Sequence, residues 1–174
     1  MRLVVNKKDT MRAFRHLDNL KAALSQTAFV AAQKAGNDYN VIVKSGMAVS
    51  APPAFAPTWK PLSEQWKAAK TGHKEEFWAE TLGIYKAVQI NIIQKTLLFI
   101  NIFAGIKAST DNEAFIRAMR NEYGFGLGPA RPLFEPAKDQ VSTVTAGGRR
   151  LNTKQRQYFI LALRQAVRKA YGRA

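Results

Sequence analysis

The run Val88-Gln89-Ile90-Asn91-Ile92-Ile93-Gln94-Lys95-Thr96-Leu97-Leu98-Phe99-Ile100-Asn101-Ile102-Phe103 reads as a β-hairpin. Val88, Ile90 and Ile92 alternate with Gln89 and Asn91, the two-residue period of a strand with one face on a core. Leu98, Ile100 and Ile102 alternate with Phe99, Asn101 and Phe103 in a second run. The polar Gln94-Lys95-Thr96 between them reads as the turn. The second run is apolar on both faces, which predicts a central strand or one covered on one side by a neighbouring subunit.

Upstream, Leu3-Val4-Val5 suits a short strand. Asp9 or Thr10 is placed to cap a helix running to about Ala35, with Met11, Phe14, Leu17, Leu20, Leu24, Ala28, Ala31 and Ala35 at helical spacing. Gly36-Asn37 reads as its C-terminal stop. The Tyr39 to Ser50 segment stays open between a strand, favoured by Val41-Ile42-Val43, and a continued helix. Pro52, Pro53 and Pro57 make the next segment extended and non-helical. Lys67 to Lys74, around Gly72, reads as an exposed loop or frayed helix.

Downstream, Thr110-Asp111-Asn112-Glu113 matches a capping box with Thr110 as the cap. It opens a helix carrying Ala114, Phe115, Ala118 and Met119 on one face and closing at Gly124. A last helix from about Asn152 to Tyr171 has Phe159, Ala162, Leu163, Ala166, Val167 and Ala170 as its apolar stripe, and Gly172 marks its end. These elements predict an α+β fold: a small antiparallel sheet with a long N-terminal helix and a basic C-terminal helix. One domain is expected over 1–174, with 149–174 as a basic helical extension.

The chain has 174 residues, with 27 Lys+Arg against 12 Asp+Glu and a formal net charge of +15. A surface this basic attracts nucleic acid, anionic lipid or an acidic partner. With no cysteine, disulfides, thiol catalysis and thiolate-ligated zinc are excluded, and the composition fits a reducing cytoplasm. The apolar run at Met1–Lys8 is too short for a signal core. The most apolar stretch, Leu97 to Ile106, is shorter than the ~20 residues a membrane span needs.

Chemistry-bearing groups are scattered. His16 and His73 stand apart, and zinc needs three or four clustered ligands. Glu75, Glu76 and Glu80 sit in a polar, lysine-rich setting that suits a solvated helix face better than acid catalysis. Gly124, Gly126 and Gly128 lack the Lys-Ser/Thr of a phosphate loop and follow a helix. No catalytic residue, metal, cofactor or small-molecule substrate is expected, and the chain reads as a non-enzyme.

Three local patterns occur in fixed order. Trp59-Lys60-Pro61-Leu62-Ser63, with Trp66 and Lys70, comes first. Glu80-Thr81-Leu82-Gly83-Ile84-Tyr85-Lys86-Ala87-Val88 leads into the hairpin. Asn121-Glu122-Tyr123-Gly124 and Pro129-Ala130-Arg131-Pro132-Leu133-Phe134-Glu135-Pro136-Ala137 come last. In this order they resemble the phage virion-morphogenesis and tail-completion proteins, which include head–tail connectors. Members typically show a Trp-x-Pro-Leu-Ser-like start and a Thr-Gly-x-Leu-like turn before a hairpin. An Asn/Glu-x-Gly element and a Pro-x-Arg-Pro-Phe-like motif follow. The likeness spans Trp59 to Ala137, and the final motif is its most specific part. Leu82 separates Thr81 from Gly83, and Leu133 displaces Phe134 by one place.

The resemblance implies a structural virion protein at the head–tail junction or the head-proximal tail end, assembled in the host cytoplasm. It implies a homo-oligomeric ring, with a hexamer as the expected count, around a DNA channel. Its partners would be its own copies, neighbouring neck, portal-adaptor or tail-tube proteins, and genomic DNA without sequence preference. Pro129 and Pro132 stiffen the approach to a helix, and Arg131 between them would offer its planar fork to a neighbour's carboxylate or carbonyls. Pro129, Arg131, Pro132, Phe134 and Leu161 are the candidate interface residues, together with the second strand.

Residues 149–174 hold Arg149, Arg150, Lys154, Arg156, Arg164, Arg168, Lys169 and Arg173 and no carboxylate side chain. On a helix, Lys154, Arg164 and Arg168 share one side, with Leu161 among them. Three readings stay open: phosphate contact with DNA through Arg149, Arg150, Lys154, Arg164 and Arg168; docking of an acidic ring partner by the same residues; and a solvated basic face. A basic nucleic-acid-binding module unrelated to virions is the rival function. It explains the charge but not the ordered motifs, and no helix-turn-helix, zinc-finger or aromatic-strand signature supports it.

Overall fold

The computed structural model describes residues 7–70, 72, 78, 83–96, 99–124 and 129–171. The expectations at Leu3-Val4-Val5, His73, Glu75, Glu76, Glu80, Thr81, Leu82, Gly126, Gly128 and Gly172 lie outside the described residues.

A single helix organises the chain. α1, Lys7–Met47, has 41 residues and runs unbroken through Gly36, so the expected stop at Gly36-Asn37 is corrected. The expected cap at Asp9 or Thr10 is corrected too, because Lys7 is already helical. Packing explains the glycine. A Cβ at Gly36 would lie 2.8 Å from Ile90 Cγ2 and 3.3 Å from Ile102 Cγ2, so the missing side chain lets the hairpin approach the helix. The open segment is helix as far as Met47. Tyr39, Val43 and Met47, four residues apart, are buried, whereas Val41 is 66% exposed. A strand would put Val41 and Val43 on the same face.

β1, Gln89–Thr96, pairs antiparallel with β2, Phe99–Gly105. Ile90 faces Ala104 and Ile92 faces Ile102 on the side turned to α1. The expected turn at Gln94-Lys95-Thr96 is corrected: these residues belong to β1, the register shifts between Gln94 and Thr96, and Thr96 pairs with Phe99. The bulge accommodates an extra polar residue within the strand, which imitates a turn in the sequence. Among the described residues β2 pairs only with β1, so it is not a central strand. Phe103 of β2 and Ile93 of β1, on the outer face of the hairpin, are exposed.

Between α1 and the hairpin lie the irregular proline-rich segment, as its prolines require, then α2, Glu64–Ala69, and α3, Gly83–Ala87. Ser63 caps α2 by accepting from the Trp66 amide. Lys70, expected in an exposed segment, is buried. α4, Asn112–Tyr123, is capped by Asp111, which accepts from the Ala114 amide at 2.9 Å. Thr110 is therefore not the cap. Its own amide is taken up by a turn to the Lys107 carbonyl, and Glu113 pairs forward with Arg117 at 2.5 Å. Gly124 closes α4 at φ 73°, as expected.

α5, Phe134–Val141, leads into a second hairpin, β3, Ser142–Thr145, with β4, Gly148–Leu151. Arg149 and Arg150 thus lie on a strand, which corrects the helical extension expected from 149. β-Branched Thr143, Val144 and Thr145, and Gly148 at φ +104°, favour the hairpin there. α6, Thr153–Tyr171, then packs antiparallel along α1. Its start meets Asp38, and Tyr171 near its end stacks on His16. Ala162 and Ala166 are its buried apolar residues. The expected stripe is half right: Leu163 and Val167 face outward, as do Met11, Phe14 and Leu17 of α1. The architecture is α+β: the first of two small antiparallel sheets is set against the long helix α1, and the second lies against α5 and α6.

Candidate functional site

The first and last of the three motifs, far apart in sequence, converge on one locus between α1, α4 and α5. Trp59 is buried and its Nε1 donates to the Pro132 carbonyl at 2.8 Å. Trp78 packs between Trp59 and Phe134, with ring centroids at 6.4 and 5.6 Å. The Arg131 amide donates to the Asn121 carbonyl at 2.7 Å, and the Arg131 Nε to the Lys60 carbonyl at 3.4 Å. Tyr39 of α1 donates its hydroxyl to the Phe134 carbonyl at 3.2 Å. Burial, then the charges of Glu122 and Glu135, raise the Tyr39 pKa.

Glu122 is the centre of this locus. It is 5% exposed, and its carboxylate accepts from the amides of Leu133, Phe134 and Glu135. Those amides open α5, whose own N-cap residue, Leu133, supplies no side-chain acceptor. A carboxylate brought from α4 thus caps α5, where the helix end also favours negative charge. Neither residue's local sequence signals this pairing.

Arg131 is placed differently from its expectation. It is 5% exposed, so its guanidinium belongs to the interior of this locus and is not offered to a neighbour. Burial lowers its pKa, yet a guanidinium stays charged at neutral pH. Pro129, Pro132 and Phe134 are half-buried beside it. Leu161, the remaining candidate interface residue, lies on α6 and is exposed.

The five basic candidates divide. Arg149 bonds Asp139 at 2.7 Å and lies 3.6 Å from Glu135, tying β4 to α5. Lys154 pairs with Asp38 at 3.2 Å, which raises the Lys154 pKa through the hydrogen bond and charge of that carboxylate. Arg150, Arg164 and Arg168 are exposed. Arg156, noted in the basic tail but not among the contact candidates, faces a groove of about 290 Å³ together with Arg150. The outward row Ile160, Leu163, Val167, Tyr171 on α6 was legible as a three-and-four spacing, but the sequence alone did not show which stripe α1 would cover.

Among the described residues no group of His, Cys, Asp or Glu could hold a metal ion, and no helix is long and apolar enough to cross a membrane. The arrangement can bind and brace: it offers exposed apolar rows, and among the described residues no carboxylate pairs with Arg150, Arg156, Arg164 or Arg168. Compared with family models, with curated proteins and with solved structures, the chain matches none of them.

Proposed function

We propose that the chain is a structural virion protein of a tailed bacteriophage. It would be a tail-completion or head–tail neck component that forms a homo-oligomeric ring, expected as a hexamer, around the DNA channel and joins tail to head. The observation that carries this reading is the meeting of the Trp59, Glu122 and Arg131–Phe134 motifs in one hydrogen-bonded cluster. Motifs that co-occur in a fixed order and brace one another behave as one structural unit, and their resemblance to the tail-completion family gains weight as a unit.

Uncovered apolar surface supports assembly. Ile160, Leu161 and Leu163 on α6, Met11, Phe14 and Leu17 on α1, and Ile93 and Phe103 on the first hairpin are all exposed. Rows of this kind mark protein contacts more often than plain solvent surface. In a ring they would meet neighbouring copies or adjacent neck, portal-adaptor or tail-tube proteins. A second reading, a basic nucleic-acid-binding module outside any virion, is favoured by the exposed Arg150, Arg156, Arg164 and Arg168.

The test is negative-stain microscopy of lysate from a phage carrying a nonsense mutation in this gene. Filled heads beside separate tails, or tails of abnormal length, are expected. Intact infectious particles would remove the virion reading and leave the nucleic-acid module in its place.

A further inference from the structure

We propose that the groove where the second hairpin meets α6 binds a phosphodiester of nucleic-acid backbone, held by Arg150 and Arg156. The groove measures about 290 Å³ and is walled by Thr143, Thr145, Leu151, Asn152 and Thr153 besides the two arginines. Its mostly hydrogen-bonding lining contrasts with the apolar pockets that enclose small molecules. Two arginines and no carboxylate line the one groove, and an anion bound there would accept hydrogen bonds from their guanidinium forks.

Pairing across the surrounding surface sets these two residues apart. Arg149, next to Arg150, is neutralised by Asp139 and Glu135, and Lys154, two residues before Arg156, by Asp38. Among the described residues no carboxylate pairs with Arg150 or Arg156. The side-chain contact of Arg156 is to Thr153 Oγ1 at 3.3 Å. The Thr153 hydroxyl accepts there and keeps its proton for a phosphate oxygen. Thr143 and Thr145 spend theirs on Asn152 Oδ1 and the Gly148 carbonyl, so they shape the wall and do not donate. The local ion pairs therefore engage the neighbouring cations and leave the two arginines of this groove without a carboxylate partner among the described residues. Duplex DNA as the phosphate source rests on the reading of the chain as a component around a DNA channel; the chemistry of the groove does not.

The experiment uses the full chain and a fluorescein-labelled duplex, with anisotropy read from about 50 to about 200 mM salt. R150Q/R156Q is compared with wild type and with the charge-matched R12Q/R15Q on exposed positions of α1. The groove variant should bind at least about tenfold more weakly and lose about one unit of slope in log K against log salt, the value for one phosphate contact. The control should change less than about threefold, with both variants melting as wild type does. Equal losses in the two variants would overturn the groove in favour of diffuse charge. Saturable binding of inorganic phosphate, abolished by R150Q/R156Q, with no duplex binding would keep the phosphate site and overturn DNA as its source. Binding of neither would overturn the proposal. Purified protein is used throughout, so a groove that fails here while the nonsense lysate still shows separate heads and tails leaves the virion reading standing.

Discussion

The Glu122 carboxylate accepts a hydrogen bond from the Leu133 amide at 2.7 Å, and the next two amides of the chain donate to the same carboxylate at 3.0 and 3.1 Å. One buried acid thereby satisfies the first turn of α5 and joins it to the end of α4. Leaving such amides without an acceptor costs about 1–3 kcal/mol for each that stays buried.

Glu122→Ala should therefore destabilise the chain by about 3 kcal/mol or more. Glu122→Gln keeps the shape and one acceptor and should cost less, about 1–2 kcal/mol. Urea midpoints at equal m-value measure both. An Ala variant as stable as wild type would show that α5 is not held by this cap.

Arg131→Ala is expected to destabilise the monomer by about 1–3 kcal/mol, because it empties a buried site and removes the contact of Arg131 Nε with the Lys60 carbonyl. An interface arginine would behave oppositely, leaving the melting temperature of the isolated chain unchanged while impairing assembly. Thermal melts of dilute protein separate the two.

The α+β class was legible because its signals are local. The period of two in Ile90 and Ile92 and the stop at Gly124 each lie within a few residues of the structure they produce, and the cap of α4 stands one residue from its expected place, at Asp111 and not Thr110. The misreadings that bear on the site come from contact with residues outside the local sequence window. Gly36 looks like a helix stop until Ile90 and Ile102 are set against it. Arg131 looks like a presented side chain until Lys60 and Asn121 close around it. Arg149 and Lys154 look like free cations until Asp139 and Asp38 reach them. The pairing of the basic residues, which distinguishes Arg150 and Arg156, is likewise a tertiary property that residue spacing does not carry.

Gly36→Ala tests the packing reading of α1. Alanine gains about 1 kcal/mol in helix propensity, but its Cβ would meet Ile90 Cγ2 at 2.8 Å, and overpacking typically costs about 1–3 kcal/mol. Ile90 is β-branched on a paired strand and yields little, so a net loss is expected. Gly147→Ala, with nothing within 4 Å of the new Cβ, should be nearly neutral. If Gly36→Ala raises the urea midpoint, the hairpin does not press on α1 as described.

The same helix should make stability depend on pH at both ends of the scale. Partial burial alone would raise the Asp38 pKa, but hydrogen bonds from Tyr158, Gln155 and Lys154 outweigh it and hold the carboxyl below its ordinary value. A depressed folded-state pKa contributes stability above the unfolded value of about 3.9 and loses it as pH falls through the folded value. Asp38→Asn should therefore flatten the acid limb below about pH 4. One residue on, Tyr39 behaves in the opposite sense. Burial, reinforced by Glu122 and Glu135, raises its pKa, so the neutral phenol is favoured in the fold. Its contribution is intact below the unfolded value of about 10 and declines as pH rises beyond it, where the unfolded chain ionises first. Tyr39→Phe loses the bond to the Phe134 carbonyl, about 1 kcal/mol at neutral pH, and should show a shallower alkaline decline. Urea midpoints of both variants across the pH range measure the two limbs. An alkaline limb as steep in Tyr39→Phe as in wild type would assign that decline to other groups.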